Sequence, residues 1–527
     1  MDAFSEAAAA PATPVALSPV ALSYEPRSLY SIVAASPALQ AALLIGLFTL
    51  LRLSLTFGLG LGVDESYALA IGRDGLNLSY FDHPPLHIWL AHVSELIFGD
   101  TEAARLPFVA LSAGTCWLLF RLTAALFGAR AGLWAVFAFN LTIFFGVVAG
   151  GWVLPDGPLD FFLLAATLAF VPVLRGEEPT WRRWLAIGAL IGLAGLSKYH
   201  ALFFGVGLLG FIAATPRLRS LFARPEPYAG IALAVLLFSP VLIWNAQHHW
   251  VSFAFQGGRA DARGFYPGAP LTQLAGQILL LTPWVFFPLA AAAIKARHDE
   301  SDAARLCLWL GTPIVLFFTI TALWCGRGMI HWSMPSWLLL FPLLGASLER
   351  AARTSTWPRR WAAASLVLFL SMTTFATAAA STGFLGADFP RLFPKGDPTI
   401  ESAPWDGLRT ALDARGFLDR PHLMLTALSW CDGAKADQAL AGALPVTVFS
   451  DDPRGFAFLR RLAPGEDSLI VLRAQDVGKD LPALTAHFRQ VRRLAPVVIG
   501  REGRREIALR LFYARDLLSP YPSPYHG

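Results

Sequence analysis

Apolar residues dominate the first 387 positions in long blocks, and the polar residues fall mostly in the gaps between them. A helix needs about 20 largely apolar residues to cross roughly 30 Å of hydrocarbon. Stretches nearly free of Asp, Glu, Lys and Arg predict eleven such spans, near 36–58, 105–127, 131–150, 157–175, 183–198, 200–215, 228–246, 271–294, 306–325, 333–348 and 361–383. The fifth and sixth are short runs separated by Lys198. After residue 387 the pattern changes. Apolar runs at His422–Leu428, Val446–Ser450 and Ser468–Arg473 read as strands, and helical patterns occupy Trp405–Arg415, Ala434–Ala443 and Leu481–Val491. Pro496–Ile499 and Ile507–Tyr513, joined by a turn at Gly500–Arg504, predict a closing hairpin. The expected fold is an all-α polytopic membrane protein with a C-terminal α/β domain.

Charge sharpens the division. Residues 388–527 are about 26% charged and residues 1–387 about 11%, against roughly 25% for soluble domains. Three parts are expected: a disordered tail at 1–35, a membrane part at 36–387 with a long first outer loop near 59–104, and a soluble part at 388–527. The net charge of +5, with no long basic run, excludes a nucleic-acid groove. Four cysteines with no paired spacing give neither a disulfide framework nor a metal motif. Fifteen Lys and Arg flank one set of alternate connections and six the other. The positive-inside bias therefore puts the N-terminus in the cytoplasm and residues 388–527 outside.

The outward connections concentrate polar side chains. Asp64 and Glu65 follow the first span; Asp82 and His83 precede two prolines; Asp156 opens the fourth span; Lys198, Tyr199, Arg259, Arg327 and His331 lie in later connections. Charges in hydrocarbon are costly unless paired or wet, so such a cluster suggests a shared polar cavity. Asp64 has two readings: a general base for an acceptor hydroxyl, or the N-cap of a helix starting at Glu65. Phe81-Asp82-His83-Pro84-Pro85 is a rigid turn ahead of an interfacial helix, Leu86–Phe98. Lys198 would snorkel or meet a phosphate, and Arg259, Arg327 and His331 suit phosphate binding or anchoring at the membrane edge. Asp82 and the loop histidines leave room for a divalent ion, although no ligand set is convincing.

Six segments in order carry a family resemblance: Val63-Asp64-Glu65-Ser66-Tyr67, Tyr80-Phe81-Asp82-His83-Pro84-Pro85-Leu86, Arg105-Leu106-Pro107, Leu154-Pro155-Asp156, Leu196-Ser197-Lys198-Tyr199 and Trp244-Asn245-Ala246-Gln247-His248. Through them the chain resembles the family-39-type membrane glycosyltransferases, related to protein O-mannosyltransferases, lipid A aminoarabinose transferases and rhizobial lipopolysaccharide galacturonosyltransferases. The resemblance implies a C-type glycosyltransferase fold with a catalytic first outer loop, in a bacterial inner membrane. It also implies a sugar donor carried on a polyprenyl phosphate and a glycan or lipid acceptor, with the product formed by inversion. On that reading Asp64, Glu65 and Asp156 are the catalytic carboxylates. Lys198, Arg259, Arg327 and His83 face the donor phosphate, and Asp82, Tyr199 and His331 line the substrate. The chain departs from the aminoarabinose transferases at Asp82-His83-Pro84, where those enzymes carry Glu-Lys-Pro. His83 is a weaker cation than lysine near neutral pH. The soluble part, with no catalytic constellation, is expected to shape an acceptor or lipid channel. The rival classes are a transporter or flippase of lipid-linked sugars and a structural subunit. The absence of a convincing internal repeat and the carboxylate-bearing outer loop favour the enzyme.

Overall fold

The computed structural model describes residues 36–527 except 100, 260–263, 326–329, 395, 475–480, 502–503, 523 and 526–527. The tail at 1–35 and Arg327 therefore lie outside the described residues. Six helices are long and apolar enough to cross a membrane: Pro37–Gly58, Glu102–Phe127, Asp156–Leu174, Pro225–Gln247, Asp302–Cys325 and Trp357–Thr382. Three bent pairs raise the number to nine by length and composition, short of the eleven expected. The stretch near 271–294 accounts for part of the difference. It is two helices, Ala269–Leu281 and Pro283–Ala296, bent by 111° where Thr282 takes a positive φ of 62° and Pro283 cannot donate a backbone bond. The run near 183–198 forms a helix of 17 residues, Trp181–Ser197. It crosses Pro225–Gln247 where Gly188 meets Gly230, so closely that a Cβ on Gly188 would fall 2.0 Å from the Gly230 carbonyl oxygen. Small residues at such crossings let backbones touch and gain dispersion energy where lipid offers no hydrophobic drive.

The C-terminal part is a sheet in the order β2-β1-β3-β6-β4, with β5 also on β6. The strands are β1 Met424–Ala427, β2 Val446–Val448, β3 Ser468–Arg473, β4 Phe488–Arg493, β5 Val497–Arg501 and β6 Arg504–Leu517. The first three are parallel and almost wholly buried, and β6 runs antiparallel to its neighbours. β4 corrects the expected helix at Leu481–Val491, because only Leu481–Thr485 is helical. Phe488 turns inward while the charges at Arg489, Arg492 and Arg493 stay outside or at the edge, and the backbone pairs with β6 instead.

The soluble sheet and the first outer loop share one apolar core. Leu61, Tyr67, Leu69 and Ile71 of the loop, Ile88 of the Leu86–Phe98 helix and Val153 pack in the same cluster as Trp405, Leu425, Phe456, Leu469 and Leu511. Polar bonds fix the register of this contact. The buried Lys435 ammonium donates to the Leu61 carbonyl at 2.8 Å, and Arg73 pairs with Asp437 at 2.8 Å. The sheet is thereby seated on the face of the helical body that carries the polar connections.

Candidate active site

The helix Val63–Gly72 begins with Gly62 as its N-cap, and Glu65 reaches back to the Gly62 amide at 2.9 Å. That return bond is one half of a capping box. It overturns the reading of Asp64 as the cap. Glu65 is also wrapped by Arg105, whose Nε and Nη2 donate to it at 2.7 and 2.6 Å, and by the Val153 amide at 3.0 Å. Arg105 spends its remaining donors on the carbonyls of Thr56, Leu59 and Gly60. Both oxygens of Glu65 are thus committed to holding the loop against the first span, which leaves it no free face for substrate. Asp64, one position earlier, is exposed at the mouth of the polar cluster. Its carboxyl is held above the usual carboxylate range by burial of its surroundings, opposed first by the positive charge of Arg454 and reinforced by Asp82 and Glu65.

Asp82 lies under this mouth, 1% exposed. The Tyr67 hydroxyl donates to it at 3.0 Å and accepts from the Gly455 amide of the soluble domain at 2.8 Å. Gln256 donates to its backbone carbonyl. His83 stands edge-on to His87, with ring centroids 5.4 Å apart. Burial, and then the charges of Lys198, Arg259 and Arg454, push the His83 imidazole down to about 3, so it is neutral at physiological pH.

Asp156, at the start of its span behind Pro155, meets Lys198, which follows the last residue of Trp181–Ser197. The lysine donates to both carboxylate oxygens, at 2.8 and 2.9 Å, and both side chains are buried. The phosphate donor and the second carboxylate expected from sequence are therefore partners of one another. Tyr199 shares a hydrogen bond of 2.7 Å with Ser252. Arg259 lies over the faces of Phe255 and Trp332, 5.2 and 5.6 Å from their centroids. His331 is pushed down to about 4 by burial and by Lys198. Among the described residues no group of three or more His, Cys, Asp or Glu is arranged to hold a metal ion.

The soluble domain adds residues that the sequence did not single out. Arg454 approaches Asp82 to 3.7 Å and lies 3.7 Å above the Trp430 ring. Phe458 and Tyr525 stack on Phe81, with centroids at 5.6 and 4.3 Å. Nothing in Asp451-Asp452-Pro453-Arg454-Gly455 marks it as more than a turn; only the docking of the sheet brings it here.

Helical body, bent spans, polar loop after the first span and docked sheet together give this chain a fold that it shares with solved membrane proteins. Residues 82–244 match the family model of dolichyl-phosphate-mannose-protein mannosyltransferase. Among individual proteins, the chain is 23% identical over 278 residues to lipid A galacturonosyltransferase RgtD of Rhizobium johnstonii, covering 50% of this chain and 55% of that one. It is also 23% identical over 292 residues to undecaprenyl phosphate-alpha-4-amino-4-deoxy-L-arabinose arabinosyl transferase 1 of Proteus mirabilis, covering 52% and 50%. The chain thus spans about half the length of the curated relatives it matches. In three dimensions it is similar to ArnT from Cupriavidus metallidurans bound to undecaprenyl phosphate, with a TM-score of 0.60, 16% identity, and 88% and 97% of the two chains covered. The oligosaccharyltransferase of Archaeoglobus fulgidus in its apo form gives 0.52 at 14% identity, covering 87% and 72%.

Proposed function

We propose that this protein transfers a sugar from a polyprenyl-phosphate donor to a glycan or lipid of the bacterial envelope, with inversion, on the outer face of the inner membrane. The observation that carries the reading is the contrast between neighbouring carboxylates. Glu65 is fully bonded, while Asp64 is exposed beside Asp82, Arg259 and Arg454. The relatives are named for sugar transfer from lipid carriers and to lipid A, and one was solved with undecaprenyl phosphate. Membrane orientation rests on the charge bias of the connections, which puts residues 388–527 outside.

Asp64 takes the proton of the acceptor hydroxyl as that oxygen bonds to C1 of the sugar. On the opposite face the bond from C1 to the phosphate oxygen breaks, and the electron pair leaves with the polyprenyl phosphate. A phosphate is already a good leaving group, so the site needs a base and cations to hold the departing charge. Arg259 is placed for the latter. The Lys198 and Asp156 pair is buried beside the cluster, and Glu65 positions Asp64 through the helix start.

Asp64→Asn keeps the shape and the helix start but cannot accept the proton. Single-turnover transfer from a synthetic polyprenyl-phosphate sugar in nanodiscs should slow by roughly 10²–10⁴, with donor affinity little changed. A variant as fast as the wild type would end the assignment of Asp64 as base.

A further inference from the structure

Three arginines that hold elements together, Arg105, Arg501 and Arg473, are closely satisfied, whereas the buried Arg52 keeps two donors without a hydrogen-bond partner among the described residues. Arg105 makes five bonds between 2.6 and 3.1 Å. Arg501 spends its guanidinium on Glu506 at 2.7 Å and on the Ala380 carbonyl at 2.6 Å. Arg473 grips Asp432 and Glu401 at 2.7 to 3.1 Å. Arg454 differs. Its side chain is only 17% exposed, yet its two carboxylate neighbours, Asp82 and Asp452, both lie at 3.7 Å. That separation is too long for a hydrogen bond. Among the described residues its buried Nε, which faces Asp452, has no hydrogen-bond partner.

The position is nevertheless held firmly. Arg454 has a left-handed backbone, with φ 48°, a conformation unusual for a residue with a side chain. Its amide donates to the Tyr525 hydroxyl at 3.4 Å, the next amide is tied to Tyr67, and its guanidinium rests on Trp430. Across the cluster Arg259 likewise rests on aromatic faces. The Phe255 ring under Arg259 packs on Phe81 at 4.6 Å, and Gln256 donates to the backbone carbonyl of Asp82, the carboxylate that Arg454 approaches, so the two guanidiniums belong to one cluster. Two cations held in one cluster on aromatic supports, with the Arg454 Nε free of hydrogen bonds among the described residues, are a site for an anion with several acceptor oxygens.

We propose that Arg454 of the soluble domain, together with Arg259 of the membrane domain, forms a two-arginine fork that binds a phosphate oxyanion of a substrate. This rests on the glycosyltransferase reading above and extends it, because it gives the soluble domain a binding residue. The phosphate is that of the polyprenyl carrier or one borne by the acceptor lipid. Asp82 then acts as the counter-charge that holds the empty fork in place.

Affinity measurements on the full chain in nanodiscs separate these cases, with undecaprenyl phosphate as one probe and a bisphosphorylated diglucosamine glycolipid as the other. Arg454→Gln should weaken binding at least about tenfold, the worth of one hydrogen bond to a charged group, in protein that still unfolds in one cooperative transition. Loss with the polyprenyl phosphate assigns the carrier, and loss with the glycolipid alone assigns the acceptor. Unchanged affinity for both overturns the fork. Wild-type protein that binds neither lipid overturns the glycosyltransferase reading along with it, whereas intact wild-type binding with an indifferent variant defeats only the role of Arg454. If the glutamine variant fails to fold, Arg454→Lys decides. It keeps the charge and loses the planar fork, so affinity equal to that of the wild type counts against the proposal and a several-fold loss supports it.

Discussion

Asp64 and Glu65 carry the same functional group on adjacent positions, and geometry gives them opposite tasks. Removing the buried partner of an ion pair leaves its charge uncompensated, which costs about 3–5 kcal/mol. Glu65→Ala, which strands Arg105 at 2% side-chain exposure, should therefore lower the thermal midpoint in detergent sharply. Asp64→Ala, on an exposed side chain, should barely move it. The acid limb of the transfer rate should follow Asp64. Because burial, with Asp82 and Glu65, raises its carboxyl above 3.8 against the pull of Arg454 and Arg259, activity should fall at a pH above that of an ordinary aspartate. His83→Gln should leave this limb in place, since the imidazole protonates only near 3.

The same depressed histidines make a stability prediction with a definite sign. Unfolding returns His83 and His331 to an ordinary affinity near 6.5, so below that pH the unfolded chain binds more protons than the folded one. Stability should be fully present above 6.5 and decline as pH falls toward 4. Melting curves of His83→Gln should show a shallower decline. Sequence could place both histidines in outward connections, but not their neutrality. That comes first from burial and then, for His83, from Lys198, Arg259 and Arg454, which lie 115 or more positions away from it.

At the level of elements, the apolar blocks announced most of the helices, and alternation announced the hairpin of β5 and β6. What alternation could not announce was β4, whose arginine-rich stretch is a strand only because β6 offers it an edge. Likewise, a continuous apolar run near 271–294 conceals a right-angled break, since hydropathy is blind to backbone direction. Contacts between elements are tightest at glycines. A Cβ on Gly455 would meet the Tyr67 hydroxyl at 2.7 Å and the Ile71 side chain at 2.9 Å. Gly455→Ala should therefore push the turn off the Val63–Gly72 helix. Protease sensitivity of the soluble domain should rise and transfer should slow, whereas Gly465→Ala, at a turn where an added Cβ meets nothing, should leave docking intact and show only its local strain.

For the molecule as a whole, the six ordered motifs carried the resemblance and pointed to the carboxylates at Asp64 and Glu65. They could not reveal Arg454, because its motif is a plain turn and its meaning arises from a domain docking across hundreds of residues. A reporter fused after residue 527 checks the orientation. Activity of a reporter that works only outside the cytoplasm is the expected result, and activity only of a cytoplasm-requiring one would reverse it.

Tyr67 and Gly455, joined by one hydrogen bond, are 388 residues apart, so synthesis on the ribosome delivers the two halves of the site at very different times. A nascent chain has Asp64 long before it has Arg454, and the outer loop waits unclamped while the later spans insert. The constellation is complete only after the C-terminal sheet has folded onto the loop. A chain stalled before β2 therefore carries Asp64 without Arg454 and has no finished cluster.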